Sequence, residues 1–480
     1  MAITSASGID AAPRQQTLST NYIDFTSAAT EGWAQQYLPD LMEKEAEIYG
    51  KRTIAGFLAQ VGAEESSTSD RVIWSEQGRL HLAYKATNED VSANIFTVTA
   101  DVDGNTIDGS AGNVHGMRVG DIVLVSNASL TLRGYVSAIA ATTATVLPYG
   151  AANFDTAGFS DSAGAGAYRM LVVGSEFEKG TDGRSAANSP KFTSYSNKHI
   201  IMKDYYEVSG SDVSQIGWVE VAGEEGQNGY LWYLKAEGDT RARFTDYLEM
   251  TMLEAVTAHA DAGAIGGTDG GALQDGTQGL FAAIEARGHQ TTGVTGVNAA
   301  TDLAEFDAIL AAFDQNGAIE ENMMFVNRST SLAMDDMLAS MNSYGAGGTS
   351  YGVFDNEEDM ALNLGFSGFR RGSYDFYKSD FKYLNDKGTR GALNDTVTNI
   401  RGVIVPAGVS SVYDEQLGKN LKRPFLHVRY RSSQTDDRKL KTWVTGSVGA
   451  KTSGKDVMEI HYLSERCLIT QGANNFMLMN

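Results

Sequence analysis

The sequence predicts an α+β protein into which a small all-β module has been threaded. The first observation is the stretch from Asn228 to Gly263, which contains no proline and repeats its apolar residues at a helical period. The second is a series of short runs rich in β-branched and aromatic residues between residues 71 and 210, punctuated by Gly, Asn and Ser. The third is the mixture of helical and strand-like segments from residue 266 onward, with no visible internal repeat.

Residues 1–70 read as an arm. Its start is polar, and Trp33, Tyr37, Leu38 and Leu41 mark a short amphipathic helix interrupted near Pro39. From Arg71 the period changes to two. RVIWSEQGRLHLAYKA and, much later, KHIIMKDYYEVSG read as the strands of one extended loop over residues 71–210. Between them, MRVGDIVLVSNASLTLRGYVSAIAATTATVLPYG and AYRMLVVG give four or five short strands with turn residues, the pattern of a small barrel or sandwich. The insert is placed at about residues 93–175, since a loop tip is where a fold tolerates insertion best.

The Asn228–Gly263 stretch would make a rod of roughly 50 Å at the helical rise. Tyr230, Leu231, Leu234, Phe244, Leu248, Met252, Ala255 and Val256 share one broad face. Glu237 with Arg241 and Asp239 with Arg243 are acid-before-base pairs that support an exposed face. Trp232, Met250 and Leu253 fall off the stripe, so the rod is expected to meet more than one neighbour. Gly238 is the one place inside it where a bend or a helix start is expected. Residues 211–265 form this helical region. Residues 266–420 bring a glycine-rich loop, a short helix, and then helix, strand and helix in TDLAEFDAILAAFDQNGAIEENMMFVNRSTSLAMDDMLASM. There MMFVN is a short buried strand, and Asn327, Ser329 or Thr330 can cap the helix that follows. Strands return over residues 421–480 in RPFLHVRYRSS, LKTWVTGSVGA and DVMEIHYLSERCLI.

Composition narrows function by exclusion. With 42 % hydrophobic residues the chain is one that folds, and 60 acidic against 38 basic residues leave a formal charge of −22. A protein that grips nucleic acid shows a basic footprint, so this balance argues against that role. The 52 glycines against 6 prolines favour many tight turns whose N–H donors stay available. The single cysteine, Cys467, forbids an intramolecular disulfide and reads as a buried intracellular thiol. No basic segment followed by an apolar core opens the chain, so no signal peptide is expected. No stretch approaches the roughly 20 apolar residues that span a bilayer.

The chemical motifs are weak. GTSYG, Gly348 to Gly352, has the G-x-S-x-G spacing with Ser350 at its centre. No buried strand precedes it and the acidic VFDNEEDM follows, so a glycine-rich loop is the better reading. DVDGNTIDG, Asp101 to Gly109, resembles the start of a calcium loop. Thr106 stands where the turn glycine belongs and Gly112 where the bidentate Glu belongs, so a turn is expected. The histidines have no ligand spacing, and no G-x-x-x-x-G-K-[ST] is present. RVGDIVLV suggests an oligonucleotide-binding barrel but lacks the basic groove and stacking aromatics such binding uses. No catalytic residue, cofactor or metal is expected. The run Asp355, Glu357, Glu358 and Asp359 reads as a solvated loop, or as a surface meeting basic residues of a neighbouring copy such as Arg370 and Arg371.

The order of arm, two-stranded loop, long helix, mixed α/β region and returning strands resembles the major capsid proteins of tailed double-stranded DNA bacteriophages. That fold is shared with herpesvirus capsid floors and encapsulins, and the likeness is nearest to the capsid proteins of crAss-like phages. LHVRYRSS, KTWVTGSVGA and YLSERCLITQGANNF resemble the closing strands of the group. The resemblance implies an N-terminal arm (1–70), an extended β-loop lying across the neighbouring subunit (71–210), and a peripheral domain (211–265) with Asn228–Gly263 as its spine helix. Residues 266–420 would be mainly the axial domain, and 421–480 the returning peripheral strands. The inserted small β-domain at about 93–175 is a departure, since not all relatives carry one. No long charged helical segment precedes the arm, so a separate scaffolding protein is expected. The implied function is structural: copies of the chain form hexamers and pentamers of an icosahedral shell around packaged double-stranded DNA, without sequence-specific binding. The implied location is the virion capsid, assembled in the host bacterial cytoplasm, with portal, scaffolding and decoration proteins as partners and no membrane. Trp33, Trp74, Arg79, Lys203, Glu357, Glu358, Arg370 and Arg371 are the candidates for the subunit interface. A tail, decoration or surface-layer protein is the alternative, and a hydrolase acting through Ser350 the less favoured one.

Overall fold

The computed structural model describes residues 56–58, 63–90, 92–110, 113–159, 167–184, 192–214, 232–257, 276–317, 319–343, 368–394, 400–407, 409–414, 419–448 and 451–480. The chain divides into two compact units, Ser75–Tyr195 and the remainder. β1 (Ala63–Ser67) belongs to the larger unit. β2 (Arg71–Gln77) then leads into the smaller one, and β9 (Phe192–Lys198) leads back; the two strands pair as a ribbon.

The smaller unit is a closed barrel. Its strands are β3 (Ala83–Asp90), β4 (Ile95–Asp101), β5 (Asp121–Ser126), β6 (Thr131–Ile139), β7 (Thr143–Pro148) and β8 (Tyr168–Ser175). They close in the order β3-β4-β7-β6-β5-β8. Each strand alternates, so every second side chain enters the interior. Val123 and Val125 of β5, Val136 of β6 and Val146 of β7 are fully buried there. Phe96 meets Phe154 edge-on at 4.9 Å and Tyr168 at 5.6 Å, and these rings fill the barrel centre. Gly134 is needed where β6 crosses β7, because a Cβ there would lie 2.3 Å from Val146 Cγ1. The β5–β6 turn is set by Asn127, whose Oδ1 accepts the N–H groups of Ser129 (2.9 Å) and Leu130 (2.7 Å). The barrel starts at Ala83, ahead of the boundary expected near residue 93, because β3 pairs with both β4 and β8 and closes the ring.

The larger unit holds two sheets. The first combines β1, β10 (Ile200–Ser209), β18 (Leu426–Arg431), β19 (Lys441–Gly446) and β20 (Val457–Thr470). Its order is β1-β18-β20-β10, with β19 also paired to β20; among the described strands β1 alone pairs in parallel there. Residues 200–209, expected in the extended loop, are therefore a sheet strand, and the ribbon partner of β2 is β9 instead. The long helix α1 (Trp232–Glu254) packs here. Phe244 and Leu248 join Ile460 and Tyr462 of β20 in one core cluster. One turn on, Met252 and Leu253 enter a second cluster with Phe57, Phe325 and Leu468. The helix thus faces two neighbours, and Met252 serves the second cluster although its spacing placed it with Phe244 and Leu248. Gly238 produces no break: α1 runs through it, and a Cβ there would meet no atom within 4 Å.

The second sheet runs β11 (His289–Thr291), β21 (Met477–Met479), β15 (Gly402–Pro406), β12 (Glu321–Val326), β14 (Tyr374–Asp380) and β13 (Gly368–Arg371) in spatial order. One face meets helices α3 (Ala299–Asn316) and α4 (Arg328–Ser343) through Phe306, Phe313, Met334 and Met337. The other face, with Phe325, Val403 and Leu478, meets the core that holds Met252 and the short helix α2 (Leu280–Arg287). Asn298 caps α3 by accepting the Thr301 N–H at 3.0 Å, and Gly317 ends it at a φ of 61°. Asn327 caps α4 through Thr330 N–H at 2.8 Å, which settles the choice among its three candidates. β21 belongs to this second sheet, although residues 421–480 were expected to return to the first. β16 (Val409–Asp414) and β17 (Lys419–Pro424) form a separate antiparallel pair.

Candidate assembly surfaces

α1 covers one face of the first sheet, and the opposite face presents large side chains. Register places Tyr205 of β10, His461 of β20 and Trp443 of β19 in one row across three strands. The Tyr205 and His461 rings stack at 5.9 Å, and those of His461 and Trp443 at 5.2 Å. Tyr205 is 56 % exposed and Trp443 36 %, so the row is a flat aromatic surface turned outward. His461 Nε2 lies 2.8 Å from Thr445 Oγ1 and 3.3 Å from a Glu459 carboxylate oxygen. Lys455 spans Glu207 at 2.7 Å and Glu459 at 3.3 Å. The hydrogen bond from Thr445, followed by that from Lys455, holds the Glu459 carboxyl below its usual range.

The margin of the same sheet is ionic. Glu465, almost fully buried, receives Arg431 at 3.1 Å and Arg438 at 2.5 Å, while Arg429 reaches Glu65 of β1 at 3.0 Å and Lys439 pairs with Glu64. These bonds tie the parallel edge strand to β18 and β20. Beside it, Glu249 of α1 accepts the Gly56 N–H at 2.7 Å. Burial pushes the Glu249 carboxyl up, against the lowering effect of the amides of Gly56, Phe57 and Leu58.

The sequence candidates separate in the structure. Trp74 is buried, with the Arg287 guanidinium 5.6 Å from its ring centre, so it is packing inside the larger unit. Arg79 pairs with Asp103 at 2.8 Å. Lys203 is exposed on β10, next to the aromatic row. Arg370 is exposed and lies 3.5 Å from Asp375, and Arg371 grips both oxygens of Asp307 at 2.6 and 2.8 Å. Each arginine thus already has a carboxylate in its own chain. Trp33, Glu357 and Glu358 lie outside the described residues, as does Ser350. The Asp101–Gly109 segment forms a turn in which Asp101 accepts Asn105 N–H at 2.8 Å. Among the described residues, no group of three or more His, Cys, Asp or Glu could hold a metal ion, and no helix is long and apolar enough to cross a membrane. Cys467 lies 3.7 Å from His199 Nε2, yet burial pushes its thiol up to about 12, so it is no activated nucleophile. Sequence reasoning missed the aromatic row. Period-two alternation in each strand was its only local signal, and the register joining the strands is not local.

No family model matches the chain. No curated protein matches it. Solved structures resemble it. One, from Microbacterium phage Oxtober96, is 9 % identical, covers 95 % of this chain and 99 % of its own, and gives a TM-score of 0.39. The capsid structure of cyanophage P-SCSP1u is 10 % identical, covers 64 % of this chain and 80 % of its own, with a TM-score of 0.33. The satellite phage P4 procapsid, which includes the size determination (Sid) protein, is 10 % identical over 64 % of this chain and 77 % of its own, with a TM-score of 0.31.

Proposed function

We propose that the chain is a structural major capsid protein of a tailed bacteriophage, whose copies build the hexamers and pentamers of a closed shell around double-stranded DNA. The observation that carries the reading is architectural. A long helix lies across a sheet drawn from both ends of the chain, and a two-stranded ribbon leads into and out of a separate β-module. In this reading α1 is the spine helix, and the second sheet with α3 and α4 is the axial domain. The charge of −22 agrees with a container, since an acidic wall does not hold packed polyanion and leaves the genome free to enter and leave. Portal, scaffolding and decoration proteins, assembly in the bacterial cytoplasm, and nearness to crAss-like phages belong to the same proposal. So do Lys203, Arg370 and Arg371 as contacts between subunits.

Electron microscopy of the expressed chain, alone and with the other structural proteins of its virion, tests the reading. Rings of five and six and closed shells are the expected result. A stable monomer at high concentration with no lattice in virion material would sink it. Tubes or flat sheets would favour the tail or surface-layer alternative.

A further inference from the structure

Among the described residues of the smaller unit, the barrel has an outward face that no other segment covers. The alternation that sends Val123, Val125, Met170 and Val146 inward sends their neighbours outward. Pairing joins Leu171 of β8 to Leu124 of β5 and on to Arg133 of β6. The next row runs from Ile122 to Tyr135 and Leu147. Leu171, Val173, Leu147 and Tyr149 are 40–50 % exposed, so the rows form one apolar band across four strands. Exposed apolar patches of roughly 300–600 Å² on a soluble unit are often functional.

Groups of opposite charge stand on this band. Arg133 stands in the Leu124 row, exposed. Beside the next row a cavity of about 430 Å³ is lined by Tyr135, Phe177, Glu176, Glu178 and Thr181. Two carboxylates and two aromatic rings line it; the chain's own Arg184 guanidinium already lies 5.7 Å from the Phe177 ring centre, so Tyr135 and the carboxylates are what the cavity offers a further guanidinium. Tyr149 donates to Glu176 at 2.5 Å, which leaves Glu178 as the carboxylate without that bond. Arg133 and Tyr135 are two residues apart on β6, or about 7 Å. One surface therefore carries a cation and, at the next outward position of the same strand, one wall of an acidic cavity, with apolar residues on the neighbouring strands. A face of that kind is complementary to itself under a two-fold rotation.

We propose that this band is a two-fold contact between the barrels of two copies of the chain, in which Arg133 of each copy enters the acidic cavity of the other. The contact rests on the assembly reading only for its use in a shell; its geometry stands on the barrel alone. A contact confined to one face of a small barrel is expected to be weak and to gain strength when many copies are held together.

Sedimentation equilibrium of the full chain, below the concentration at which larger assemblies form, tests this. Leu171→Glu, Arg133→Glu and Glu178→Arg should each weaken pairing by tenfold or more, and the double exchange Arg133→Glu with Glu178→Arg should restore it to within about threefold. All these side chains point out of the barrel, and recovery in the double variant excludes simple misfolding. Pairing unchanged by Leu171→Glu would overturn the proposal. So would a double variant as weak as the singles, since the face would then fit a different partner. Microscopy of the same samples separates the two readings. Normal shells with unaffected pairing would reject the contact and leave the capsid reading standing, whereas responsive pairing with no shells would do the reverse.

Discussion

The barrel and the larger unit use the same strand chemistry but close it over very different distances in sequence. In the barrel, every pairing lies within residues 83–175, and one interior holds a single core cluster. In the larger unit, Ala63 pairs with His427 in the first sheet and His289 with Met477 in the second, so neither sheet is complete until distant segments meet. Local closure makes the barrel an insertable part with its own core. Distant closure makes the larger unit depend on every one of its pieces, and α1 joins its cores by facing a different one on successive turns.

The largest test of that contrast is Phe96→Ala. Losing a fully buried ring should destabilise the barrel by about 3–5 kcal/mol. Hydrogen exchange should show the loss in β3–β8 with protection of β18 and β20 unchanged. Equal loss in both units would mean that they share one cooperative core. Next is Leu248→Ala, 2 % exposed between α1 and β20, which should cost about 2–5 kcal/mol in denaturant unfolding of isolated subunits. Arg241→Ala, on the exposed side of the same helix, should cost only about 0.3–0.5 kcal/mol, and equal losses would mean the helix face is misassigned. A smaller effect of opposite sign is expected from Gly238→Ala. The position is helical and open, so the change should stabilise by up to about 1 kcal/mol, read as a higher denaturation midpoint.

The smallest effect concerns the hold of Glu249 on Gly56. Burial raises the carboxyl above its unfolded value, so between the two values the native state binds more proton than the unfolded one. The stability contributed by this group is present in full below the unfolded value and is lost as pH rises through the native one. Glu249→Gln should remove that slope, seen as a difference between the two proteins in urea midpoints from about pH 4 to about pH 7. Parallel midpoint curves would show that Glu249 does not titrate differently on folding.

What was legible in the sequence follows the same contrast. β5 to β8 could be read from their alternation, and the β5–β6 turn from Asn and Ser. β3 was separated from them because LAYKA looks like a continuation of RVIWS, and only its pairing with β8 shows otherwise. Helix α1 was visible from periodicity, but the hand-over from Phe244 and Leu248 to Met252 and Leu253 depends on which sheet lies beneath each turn. Trp74 and Arg371 have the chemistry of contact residues, yet each finds its partner inside its own chain, and no local pattern distinguishes those outcomes.

β21 gives the fold a timing. Met477–Met479 lies between β11 and β15, its three side chains buried, and Arg401 donates its N–H to Met479 O at 2.7 Å. During synthesis, residues 289–291 and 402–404 emerge long before this strand does, and the sheet cannot join them until residue 479 has left the ribosome. A chain released early leaves an open slot between two strand edges and two uncovered apolar faces. Such a product exposes the strand edges and apolar surface that chaperones and proteases recognise. Closure of the second sheet therefore waits on residues 477–479, far along the chain from both strands they join.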